Sequence, residues 1–351
     1  MTGSPSTARR GPWLRLLLRA AAAGLLLWLA FRWALPPESR ELATLREAWV
    51  LPLPRALAWL AAAVALFGLN FAVGALRFQL LLRGAGLPAH LAPLLRAYVV
   101  ASFFNLLLPT GLPGDAFRLA AARRDLGRGA ELLGVLVLER LLSLAALAAL
   151  VLGALPQLPG LEPPALRTAL GVVGASLLVG TLLLAHRPTV AWLQRRATWP
   201  LARWPRLGAV AALSERSATL AAAFAMSVLM QAILVACVFL LARPLDASVS
   251  LWGHALVVPI TALATLLPLT LGGIGIREHL YLALYGSLGM RAPVAFSLSL
   301  ATFAMILVWS LVGLALFVAA GRARSASRRA TSPPASCSRG QAQAGPGSRG
   351  S

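Results

Sequence analysis

Charge is scarce in this chain. Of its 351 residues only 12% are Asp, Glu, Lys or Arg, 59% are hydrophobic, and the mean hydropathy is +0.77. Soluble domains carry about 25% charged residues. An ordinary soluble domain is thereby excluded, and a membrane protein is the class that remains. Lysine is absent altogether: all 32 basic residues are Arg, a skew spread over every loop and tail that no single binding site would impose. Cysteine is limited to Cys237 and Cys337, too few for a disulfide framework or a cysteine metal cluster. The four histidines, His90, His186, His254 and His279, show no i, i+4 pairing, so neither a zinc site nor any other cofactor is expected.

What is there is a series of apolar windows. A membrane-spanning helix needs about 20 mostly apolar residues. Trp13–Leu35, Ala56–Leu82, Ala130–Leu155, Thr168–His186, Ala218–Ala242 and Pro293–Ala320 each meet that length or come close. Two further stretches, Leu91–Pro109 and Trp252–Leu271, run into breakers: Pro109-Thr110-Gly111-Leu112-Pro113-Gly114-Asp115 and Gly272-Gly273-Ile274-Gly275. Pro and Gly in such density cannot continue a regular helix. Residues 1–12 form a short basic lead-in, 13–320 the membrane domain, and 321–351, rich in Ser, Arg, Gly and Pro, a tail expected to be disordered.

The net charge of +21 would suggest nucleic acid in a soluble protein, but here topology absorbs it. Short Arg-rich loops stay cytoplasmic. Arg9, Arg10, Arg15 and Arg19 precede the first window, and six arginines from Arg187 to Arg216 follow the fifth, so both ends of that interval are expected inside. The tail is expected inside as well. Trp192, Trp199 and Trp204 sit among the same arginines, a mixture suited to an anionic membrane surface; no nucleic-acid partner is expected. The charge pattern closes only if each broken stretch turns back on itself. The sequence therefore predicts an all-α polytopic membrane bundle of about six full spans plus two opposed re-entrant hairpins, with both termini cytoplasmic in a plasma or inner membrane. Seven or eight full crossings are the alternative.

The breakers align without gaps, pairing Pro109 with Pro268, Gly114 with Gly273 and Arg118 with Arg277. With hairpins opening to opposite sides, that suggests an inverted repeat, an arrangement in which transporters bind substrate between broken helices. A helix starting just after Gly114 or Gly273 would present free N–H groups and partial positive charge, with Arg118 or Arg277 a turn further on, a combination suited to phosphate or carboxylate. The competing reading is local: Asp115 caps its helix and pairs with Arg118, and Glu278 neutralises Arg277. Both readings stay open at this level. Glu139 and Arg140 lie in the middle of the fourth window, where each charge costs about 2.5–3.5 kcal/mol. Adjacent residues point about 100° apart on a helix, so each is expected to pair with another element, Arg118 and Asp115 being the partners in view. Asn70, Asn105 and Gln231 read as single amides suited to interhelical hydrogen bonds.

These residues carry a resemblance. Ala75-Leu76-Arg77-Phe78, Asn105 with Leu108-Pro109 and Gly114-Asp115 leading to Arg118, Glu139-Arg140, and Gly272-Gly273-Ile274-Gly275-Ile276-Arg277-Glu278 together resemble the lysylphosphatidylglycerol synthetase transmembrane-region family, also called the flippase-like domain family. The resemblance covers roughly residues 14–320. It implies movement of a lipid or lipid-linked head group between leaflets, an anionic phospholipid or a polyprenyl-linked glycolipid. The substrate-binding set it suggests is Asn105, Gly114, Asp115, Arg118, Glu139, Arg140, Gly272, Gly273, Gly275, Arg277 and Glu278. Members that aminoacylate phospholipid carry a soluble acyltransferase-like domain after the membrane region, so aminoacyl transfer, and catalysis generally, is not expected of this chain. A symmetric charge network is not expected either, because Ala301-Thr302-Phe303 stands where the resemblance implies an Arg. The alternative function is a non-transporting partner that presents a lipid-linked substrate to a separate membrane enzyme. Small residues are too common here for a helix-dimer motif to indicate an oligomeric state.

Overall fold

A computed structural model of the chain describes residues 53–107, 113–126, 129–161, 163–185, 216–245, 249–266 and 273–331, together with Leu25 and Trp28. The first apolar window, the Arg- and Trp-rich loop around 187–215, Pro109, Pro268, Gly272 and the tail beyond 331 lie outside the described residues. Among those described the secondary structure is entirely helical: α1 (Leu53–Gly84), α2 (Leu91–Leu107), α3 (Pro113–Leu126), α4 (Gly129–Ala154), α5 (Pro164–Ala185), α6 (Ser217–Ala242), α7 (Leu251–Thr265), α8 (Ile276–Gly286) and α9 (Ala292–Thr331), with single 3-10 turns after α4 and α6.

Five of the helices contain stretches long and apolar enough to cross a bilayer, within α1, α4, α5, α6 and α9. They coincide with five of the six windows expected to span. The two interrupted stretches fold as shorter helices, α2 of 17 residues and α7 of 15, or about 26 and 23 Å at 1.5 Å per residue. That falls below the ~30 Å of a hydrocarbon core. The last helix runs on past Ala320 through residues 321–331, where the sequence had suggested the disordered tail would begin. Hydropathy falls there, but Ala and Arg are good helix formers and nothing stops the helix.

The helices that follow the two breakers start differently from one another. Pro113 opens α3, a position where its missing N–H is no loss. Gly114 is thus inside the helix rather than just ahead of it. The second breaker instead turns through Gly273 and Gly275, with φ of 77° and 90°, backbone angles costly for any residue with a Cβ. Helix α8 begins only at Ile276, although the ungapped alignment pairs Pro113 with Gly272. Arg118 therefore stands beyond the first turn of α3 and Arg277 at the second position of α8.

Packing follows a regular scheme. Within the first group α1 packs on α2, α2 on α3 and α3 on α4; within the second α6 packs on α7, α7 on α8 and α8 on α9. Across the groups α1 meets α6, α2 meets α9 and α7 meets α4. Exchanging α1–α4 for α6–α9 in order carries every packed pair among these eight helices onto another packed pair. The apolar core divides in the same way, one cluster centred on Phe78, Leu81, Leu132 and Leu138, the other on Val238, Leu256, Tyr285 and Leu298. Backbones come closest between α2 and α9. There the Ser102 hydroxyl donates to the Trp309 carbonyl at 3.2 Å, and the Ser310 hydroxyl donates to the Ser102 carbonyl at 3.3 Å.

Candidate functional site

Charges from four helices meet at one point between the groups. Glu139, on α4 and only 2% exposed, receives hydrogen bonds from three sides. The Arg77 guanidinium of α1 donates to its Oε1 at 2.7 Å, the Tyr98 hydroxyl of α2 donates to the same oxygen, and Arg118 of α3 donates to Oε2. Arg118 also reaches Asp115 at 3.3 Å, one turn back on its own helix. Asp115 in turn accepts from Arg140 Nε at 2.6 Å. Arg77 extends the network by donating to the Ser143 and Ser227 hydroxyls at 2.9 and 2.7 Å. The Arg118 guanidinium lies over the rings of Tyr98 and Phe78, 4.0 and 4.8 Å from their centroids, where the π faces favour a cation.

Glu139 and Arg140 thus pair with Arg118 and Asp115 as expected from their positions on one helix, and the local pairing of Asp115 with Arg118 exists beside it. Arg77 is the member that sequence reasoning left out of the candidate set, although its place in an apolar span was the same signal that singled out Glu139. With all groups ionised, three guanidiniums face two carboxylates and the cluster carries one net positive charge. Arg140 is its least enclosed member, with 37% of its side chain exposed. The Nε atoms of Arg77 and Arg118 are buried and make no hydrogen bond.

The cluster opens onto a cavity of about 440 Å³ between the two groups of helices. Arg77, Asp115, Arg118, Glu139 and Arg140 form its charged wall, while the opposite wall comes from α6, α7 and α9 and includes Gln231, Thr265, Gly273 and Ile306. Asn105 also lines it, and its Oδ1 accepts from the Gly114 backbone N–H at 3.0 Å. The N-terminus of α3, which the sequence offered to an anion, is thus capped by Asn105 and flanked by Asp115. What remains for an anion is the guanidinium groups.

Gly275, Arg277 and Glu278 are not brought to this cavity. Arg277 donates to Glu278 at 2.7 Å and to the Ser299 hydroxyl at 3.2 Å, and Ser299 donates to Glu278 at 3.1 Å. The other Glu278 oxygen accepts from the Gly275 N–H at 2.5 Å. Phe303 lies under the guanidinium at 5.1 Å, in the stretch where the resemblance had implied an Arg. One acid and one base neutralise each other here, so this second cluster is closed and balanced. Of the second breaker's candidates only Gly273 reaches the cavity; Gly272 lies outside the described residues.

Apolar spans arranged around a buried, charge-lined cavity define a polytopic helical membrane protein with an internal polar site. The family model described as "Lysylphosphatidylglycerol synthase TM region" matches residues 13–315, and the chain belongs to that family of lipid-handling membrane proteins. What matches is the membrane module and not the synthase's catalytic part: the chain is a multi-pass, non-catalytic membrane module. No curated protein matches it.

Proposed function

We propose that this protein moves an anionic phospholipid or lipid-linked head group between leaflets, holding the head group in the cavity between its two halves. The observation that carries this is the cavity's charged wall: three guanidiniums against two carboxylates, deep in an apolar bundle. Free charge at such depth is expensive, and an anionic ligand would complete the balance. A volume near 440 Å³ lies within the usual range for small-molecule sites and accommodates a phosphorylated head group with its tails left in lipid.

Alternating access follows from an inverted repeat. The segment before α1 with α1–α4 forms one half, and α5–α9 the other, with α2–α3 a hairpin entering from the cytoplasm and α7–α8 one entering from outside. Two observations support this: α2 and α7 are too short to span, and helix packing is preserved on exchange of the halves. Both termini are then cytoplasmic. In a variant with Cys237 and Cys337 replaced by Ala, impermeant thiol labelling is expected to reach His90→Cys only from the cytoplasmic side, and Gly160→Cys and Arg291→Cys only from outside. Opposite sidedness for Gly160 and Arg291 would rule out the two-hairpin arrangement.

The functional test is reconstitution into vesicles with labelled phosphatidylglycerol. Wild type is expected to accelerate transbilayer exchange and Arg118→Ala to abolish it. Arg277→Ala, altering the closed cluster, is expected to retain exchange per correctly folded molecule. Exchange at wild-type rate in Arg118→Ala would remove the charged cavity from the mechanism. No exchange by wild type of any anionic lipid, together with stable co-purification of a glycosyltransferase or synthase, would favour the presenting-partner role instead.

A further inference from the structure

Two uncharged amides face the same cavity from outside the ion network. Asn70 of α1 and Gln231 of α6 both line it. The interhelical hydrogen bonds expected for them do not form among the described residues. Asn70 Oδ1 is shielded from solvent with no hydrogen-bond partner, an arrangement that costs free energy unless a ligand or water supplies a donor. Gln231 likewise has no protein partner among the described residues and borders open space.

The chemistry of the two walls differs. Both carboxylates are engaged, Glu139 by Arg77, Arg118 and Tyr98, and Asp115 by Arg118 and Arg140. An ammonium group entering the cavity would find no free acid and a surplus of guanidinium. A primary amide offers a donor and an acceptor together without charge, and the ligand group that matches both is a hydroxyl. Guanidiniums on one side and free amides on the other therefore suit a phosphate whose substituent carries hydroxyls.

We infer that Asn70 and Gln231 form a hydroxyl-recognising subsite beside the Arg77–Arg118 anion site, selecting a phosphodiester head group that bears a polyol. This rests on the reading of the cavity as a head-group site, and it names the head group's class. The shared chemistry has two sources, a glycerol head group or a polyprenyl-phosphate sugar.

Binding separates this from translocation. The full-length chain in detergent micelles is titrated with phosphatidylglycerol and with phosphatidylmethanol, which have the same single negative charge and differ in the two hydroxyls; thermal stabilisation gives the apparent affinity. Wild type is expected to prefer phosphatidylglycerol by about tenfold or more, as two added hydrogen bonds allow. The Asn70→Leu/Gln231→Leu double variant is expected to bring phosphatidylglycerol down to the phosphatidylmethanol level and leave the latter unchanged. A parallel titration with a polyprenyl-phosphate hexose separates the sources, since tighter binding of either hydroxyl-bearing lipid than of phosphatidylmethanol upholds the subsite. Equal affinity of wild type for all three lipids overturns the inference, as does a preference that survives in the double variant. The wild-type comparison needs no variant to fold. Preference without transbilayer exchange would sink the transport role and leave the subsite standing.

Discussion

Replacing Glu139 with Gln is expected to destabilise the protein by about 3–5 kcal/mol, the range for removing one partner of a buried ion pair. The side chain keeps nearly the same shape and one acceptor oxygen, so lost packing contributes little. What disappears is the charge on which Arg77 and Arg118 both converge from different helices. Arg118 retains Asp115 at 3.3 Å, whereas Arg77 is left with only the Ser143 and Ser227 hydroxyls. Thermal unfolding in mild detergent is the measurement, paired with lipid exchange. Adding Arg77→Gln to Glu139→Gln is expected to restore part of the loss, because the second change removes the charge that the first one orphaned. Strict additivity of the two changes would mean that the residues do not interact. Arg140→Gln provides the contrast. Its side chain is over a third exposed and its partner Asp115 keeps Arg118, so a loss of about 1 kcal/mol or less is expected.

Gly313→Ala is expected to be the most damaging small substitution in the described helices. A Cβ on Gly313 of α9 would press into the Val99 carbonyl oxygen of α2, closer than van der Waals contact allows, with the Ser102 hydroxyl 3.3 Å away. The obstacle is backbone, which cannot rotate aside. The two helices must separate, and with them the Ser102–Trp309 and Ser310–Ser102 bonds. Overpacking of this kind costs about 1–3 kcal/mol, and the same contact positions the hairpin carrying Tyr98 and Asn105. A lower unfolding temperature together with reduced lipid exchange is therefore expected. Gly321→Ala, further along the same helix, has no neighbouring atom within 4 Å. It is expected to be neutral or slightly stabilising, since Ala favours a helix over Gly by up to about 1 kcal/mol. Equal effects from the two substitutions would show that the α2–α9 approach is not what Gly313 serves.

What was legible in the sequence was local. Hydropathy located the five long helices, because the cost of an unpaired backbone in hydrocarbon forces any 20-residue apolar stretch into a helix. Pro and Gly marked both breakers, because their effect on the backbone acts within a residue or two. Charge in the middle of an apolar window singled out Glu139 and Arg140, and their adjacency on one helix already sent them to different partners. The tertiary structure decided what depends on which helix faces meet. Helices apolar on nearly all sides, as α2 and α4 are, carry no amphipathic stripe to fix their rotation, so nothing in the sequence aimed Arg77 at Glu139 across 62 positions. The repeated motif read alike in both breakers. Only the folded chain separates an Arg118 that opens onto a cavity from an Arg277 neutralised by its neighbour Glu278, because the difference lies in which counter-charge each guanidinium can reach in space.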